Sequence, residues 1–122
     1  MRAGAAVLAA LTLGWPGLAN ATPTAEAWLQ RAQRLNAMGM RALFASDFRP
    51  VMNEAKAAVE ATRAANAQAK AAGKPLYCPP PGRKSMSTDE ALRLFQQIPP
   101  DRRRTMSLQA AWREMLVKRF PC

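Results

Sequence analysis

The sequence has no histidine, two cysteines, one tyrosine, and only 8 acidic residues against 18 basic ones. Each shortage excludes something. Histidine is the side chain whose ordinary pKa lies nearest neutrality, so the commonest general base is missing. A structural zinc site needs four nitrogen or sulfur ligands, and two cysteines without histidine cannot supply them. The phosphate-cradling GxxxxGK[ST], the dinucleotide-binding GxGxxG and the metalloprotease HExxH are all absent. The adjacent acids Asp89 and Glu90 stand at a predicted helix start, where capping explains them. The reading is therefore of a protein that is not an enzyme and carries no cofactor and no metal.

Long apolar runs are also lacking. The longest, residues 5–13, falls well short of the roughly 20 residues that cross a bilayer. Arg2 precedes it, Gly14, Trp15, Pro16 and Gly17 break it, and Ala19, Asn20 and Ala21 form a small-x-small site. This is the pattern of a Sec-type signal peptide over residues 1–21 with cleavage after Ala21. The expected location is periplasmic or secreted. Export supplies an oxidising compartment, so Cys78 and Cys122 are expected to form one structural disulfide. They are too far apart in sequence for a CxxC redox pair.

Strand-like alternation is missing too, and residues 22–122 read as a single all-α domain of about four helices. Thr24 caps a first helix over 24–38, with Trp28 as a core anchor and Gly39 at its end. Leu43 and Phe44, in the next connection, are expected to pack under the helices. A second helix over 47–72 is capped by Ser46 or Asp47. Its apolar stripe of Val51, Met52, Ala55 and Val59 fades into alanines, so its second half reads as weakly held and solvated. Gly73 ends it.

The last stretch, 78–122, is the most patterned. Three prolines and Gly82 follow Cys78 and fix an extended spacer. Ser87 and Glu90 form a capping box, and Ala91, Leu92, Leu94, Phe95 and Ile98 give an apolar face. Pro99 and Pro100 stop that helix, and residues 101–104 read as a tight basic turn. Ser107 caps a final helix with Leu108, Ala111 (or Trp112), Met115, Leu116 and Phe120 along one face. If bonded, the cysteines close a helical hairpin.

The CPPPG opening at 78–82, the helix with Leu92 and Phe95, the Pro99–Pro100 turn and the closing Phe120, Pro121 and Cys122 together resemble the Rap1a/Tai family. The likeness covers residues 78–122 only. It implies a small exported helical protein with Cys78 and Cys122 paired and Pro79, Gly82 and Phe120 in structural positions. The founding members of that family are periplasmic immunity proteins, often dimeric. They occlude the active site of peptidoglycan amidases delivered by type VI secretion systems.

Two functional expectations follow. The first is an exported, non-enzymatic binding protein resembling such immunity proteins, with a secreted effector or a cell-wall enzyme as partner and a homodimer allowed. The second rests on the formal net charge of +10. It is a basic envelope protein that binds an anionic polymer or membrane surface. Nucleic acid is not an expected partner of an exported chain. The candidate contact residues are Arg83 and Lys84 after the proline run, and Arg102, Arg103 and Arg104, whose guanidinium groups can grip carboxylates or phosphates.

Overall fold

The computed structural model describes residues 23–82 and 86–122. The expected signal segment therefore lies outside the described residues, as do Arg83 and Lys84. The fold is all-α. Among the described residues five helices follow in order: α1 (Ala25–Met38), α2 (Phe48–Ala71), α3 (Thr88–Gln97), α4 (Pro100–Thr105) and α5 (Leu108–Arg119). A short 3-10 helix, Gly39–Phe44, makes the corner between α1 and α2. The basic turn expected over 101–104 is thus a helix in its own right, opened by Pro100, whose missing N–H costs nothing at a first helical position.

Local chemistry sets the boundaries. The hydroxyls of Thr24, Ser87 and Ser107 accept from the N–H groups of Ala27, Glu90 and Ala110, so each caps its helix as the sequence suggests. Asp47 occupies the cap position of α2 without capping it. Its carboxylate is taken by Arg31 of α1, whose Nε and Nη2 donate at 3.0 and 2.8 Å while Nη1 reaches Glu54 at 2.7 Å. Past the end of α2, the N–H of Gly73 donates to Lys70 and that of Lys74 to Ala69, a Schellman turn that needs the positive φ of Gly73.

The core joins all the long helices. Leu29, Phe95, Leu108 and Met115 are its largest fully buried apolar side chains. Trp28, Phe95 and Trp112 make an aromatic cluster with ring centroids 5.2, 6.4 and 5.8 Å apart. Each such pair adds about 0.5–1.5 kcal/mol beyond simple burial. The Trp28 indole N–H donates to the Val51 carbonyl at 3.1 Å, which fixes α1 against α2.

Three expectations need correction. Leu43 and Phe44 do not pack under the helices; both are exposed. In a 3-10 helix, residues three apart share a side, so the inward side carries only Ala42 and, just past the helix, Ala45. Met52 is also exposed, because α2 turns Val51, Ala58 and Thr62 inward instead. The second half of α2 is tied down further than its fading apolar stripe implies. Thr62 is buried, with its hydroxyl donating to the Ala58 carbonyl. The Asn66 side chain accepts from the N–H groups of Leu76 and Tyr77 and donates to the Tyr77 carbonyl, so the returning strand of chain is stitched to α2.

Two backbone clamps close the unit. Ala25 N–H donates to the Met106 carbonyl at 2.9 Å and Leu108 N–H to the Pro23 carbonyl at 3.0 Å, joining the start of α1 to the start of α5. At the other end the Cys78 N–H donates to the Phe120 carbonyl at 2.8 Å. Beside that bond Cys78 and Cys122 are disulfide-bonded, with Cα atoms 4.9 Å apart and a sequence separation of 44. In the chain-entropy model a loop of that length stabilises the fold by about 4 kcal/mol, against totals of roughly 5–15 kcal/mol for small domains. Cys122→Ser should therefore lower Tm by at least about 10 °C. An unchanged melting curve would show that the bond is incidental to the fold.

Candidate functional site

The three consecutive arginines of α4 have different surroundings. Arg103 is buried among three helices. Its Nε donates to Glu26 of α1 at 2.6 Å, and its Nη1 donates to the Ile98 carbonyl at 2.6 Å and to those of Phe95 and Gln96 at 3.4 Å. Pro99 and Pro100 have no N–H, so the last carbonyls of α3 lack a continuing helix, and the guanidinium supplies the missing donors. A cation also suits the negative end of the α3 dipole. Arg103 is a structural residue and presents nothing to a partner.

Arg102 and Arg104 remain at the surface. Arg102 makes a two-pronged pair with Glu114 of α5, both contacts at 2.7 Å, and Arg104 pairs with Asp101 at 2.7 Å. Their side chains keep 55% and 63% of their exposure, so both still offer N–H groups to solvent. Arg102 lines a shallow groove of about 150 Å³ between α3 and α5, with Leu94, Gln97, Met115 and Lys118 along its walls. Because Arg103 is locked between them, the two outer arginines stand on a fixed helix rather than a loose turn, Arg102 toward Glu114 of α5 and Arg104 toward Asp101. The Pro-rich spacer 79–81 is exposed beside the disulfide.

Most acidic side chains are spent on internal ties. Glu26, Asp47, Glu54, Glu90, Asp101 and Glu114 all pair with arginines. The guanidinium of Arg103 holds the Glu26 carboxyl below its usual range, and Arg31 does the same for Asp47. Among the described residues no three histidine, cysteine or acidic side chains lie together as metal ligands. Among the described residues the tryptophans and the tyrosine are structural. Trp28 and Tyr77 are buried, and Trp112 is half-buried against the first of them.

Sequence reasoning missed one feature. The 3-10 corner displays Met40, Leu43 and Phe44 at 79%, 54% and 90% exposure. The signal was present in the spacing of Ala42 and Ala45, two small residues three apart, which leaves the larger ones to face outward.

Two outcomes check this description. Arg103→Ala should cost about 3–5 kcal/mol, because it strands a carboxylate and a helix end, whereas Arg102→Ala and Arg104→Ala, at the surface, should each cost far less. Equal losses at all three positions in chemical denaturation would contradict it. Glu26 and Asp47 have depressed folded pKa values, so their contribution is present above the unfolded carboxylate range of about 4 and is lost as pH falls through the folded values. Tm should hold from about pH 7 to 5 and fall below about pH 4, with a shallower fall in Glu26→Gln. A Tm that stays flat into that acid range would refute the pairing.

Compared with family models, with curated proteins and with solved structures, the chain matches none of them.

Proposed function

We propose that this is an exported, non-enzymatic binding protein that works by covering part of another exported protein, in the manner of the immunity proteins its C-terminal stretch resembles. The observation that carries the reading is the rigid edge on α4. A buried Arg103 and a covalent closure hold the α3–α5 unit together, with Arg102 outward at the groove and Arg104 exposed farther round α4. A pre-formed surface loses little conformational freedom on docking, which favours tight association at modest area. The two guanidinium groups suit a partner whose cleft is rimmed with carboxylates. The partner class that the resemblance suggests is a secreted effector or cell-wall amidase.

A second reading, a basic envelope protein that binds an anionic surface, is supported by a separate observation. Arg49, Lys56, Arg63 and Lys70 are all exposed on α2 and make no ion pair among the described residues.

The two readings differ in salt response. A shape-matched protein interface keeps most of its affinity as salt rises, while polyanion binding collapses. Affinity capture on the oxidised protein from an envelope extract, washed at high salt, should retain a cell-wall hydrolase in stoichiometric amount. Its activity should be inhibited, and its Kd should weaken at least about tenfold in Arg102→Ala/Arg104→Ala, a variant that leaves Arg103 and the fold intact. Retention of salt-labile material alone, or a hydrolase bound equally by the double variant, would refute the first reading.

A further inference from the structure

The outer face of α2 carries an ordered line of charge. Arg49, Lys56, Arg63 and Lys70 are spaced seven residues apart on one continuous helix. Seven residues advance about 10.5 Å and drift only about 20° around the axis, so the four cations form one row about 31 Å long. The row lies on the side away from the buried Val51, Ala58 and Thr62. Arg31, Arg102, Arg103, Arg104 and Arg119 are neutralised in pairs, whereas Arg34, Arg41, Arg93 and Arg113, like the row, carry no ion pair among the described residues. Glu60 is the single acid near this row.

At the N-terminal end of the row the apolar groups are left in solvent. The 3-10 corner has two outward sides about 120° apart, one with Met40 and Leu43, the other with Arg41 and Phe44. Met52, three residues past Arg49, adds a further exposed apolar side chain on the same side of α2 as the row. A projecting corner with apolar groups on two diverging sides is met on all of them by a medium that flows around it. A straight cationic row beside it is met by a flat anionic plane.

We propose that the 3-10 corner and the outer face of α2 form a peripheral docking site for an anionic phospholipid bilayer. Met40, Leu43 and Phe44 enter the boundary between headgroups and acyl chains while the α2 row sits on lipid phosphates. This deepens the second reading above and uses a different face from the α4 edge, so it stands or falls separately from the first. The contact is peripheral, since among the described residues no helix is long and apolar enough to cross a membrane. A second copy is a poorer occupant of the corner, because a symmetric contact there brings Arg41 and Arg49 toward their own counterparts.

The test is co-sedimentation of the oxidised protein with phosphatidylcholine vesicles, with and without phosphatidylglycerol, and in parallel with soluble polyphosphate. The protein should bind the anionic vesicles and not the neutral ones. Leu43→Ser/Phe44→Ser and Lys56→Glu/Arg63→Glu should each weaken vesicle binding about tenfold or more, and all these side chains are exposed, so both variants should fold. Only the charge variant should weaken polyphosphate binding. Vesicle binding that ignores the Leu43 and Phe44 changes would reduce the site to a general polyanion surface and overturn the proposal. So would absence of vesicle binding, or a solution dimer that those two changes dissociate.

Discussion

The structure depends on the buried guanidinium of Arg103. Two prolines end α3 abruptly and start α4 at once, so the Gln96 and Ile98 carbonyls at that junction meet no backbone donor and that of Phe95 meets only the Ile98 N–H. Arg103 meets them from one side and Glu26 of α1 from the other. One side chain thereby joins α1, α3 and α4 at a point where none of them can supply the bond. Charge and geometry agree here, since the cation faces both a carboxylate and the negative end of a helix.

The remaining ties follow the same economy. Alanine fills much of the interior, as at Ala25, Ala42, Ala58, Ala91 and Ala111, and buries little area. Directional links take up the difference. Arg31 joins Asp47, just before α2, to Glu54 within it, Asn66 stitches the returning chain to the far half of that helix, and Arg119 reaches Glu90 across the hairpin. The disulfide and the Cys78–Phe120 backbone bond hold the last helix to the entry of the proline run. A chain so short of large apolar side chains nevertheless leaves Met40, Leu43 and Phe44 in solvent. That imbalance gives the corner its interest as a contact surface.

Much of this was legible in the residues. Thr24, Ser87 and Ser107 cap as their positions suggest, Gly39 and Gly73 end their helices, and Cys78 finds Cys122. These signals are local, or, for the disulfide, have only one solution. What was not legible depends on tertiary direction. Three adjacent arginines are alike in sequence, and only the packing of α4 against α1 and α3 turns one of them inward. Leu43 and Phe44 look like core residues until the corner adopts a period of three rather than 3.6. Thr62 and Asn66 look like a fading stripe, yet they continue the inward face of α2 as polar links. The surface edge formed by Arg102 and Arg104 could be suspected from composition, but its rigidity could not.

The measurement that bears most directly on this account is a double-mutant cycle between Glu26 and Arg103, using Glu26→Gln and Arg103→Gln in urea denaturation. A tertiary junction held by this pair predicts a coupling energy above about 1 kcal/mol, as found for residues sharing one buried network. A coupling near zero, the usual value for exposed ion pairs, would contradict it. Arg103 would then be one more surface cation, and the α4 edge would lose its anchor.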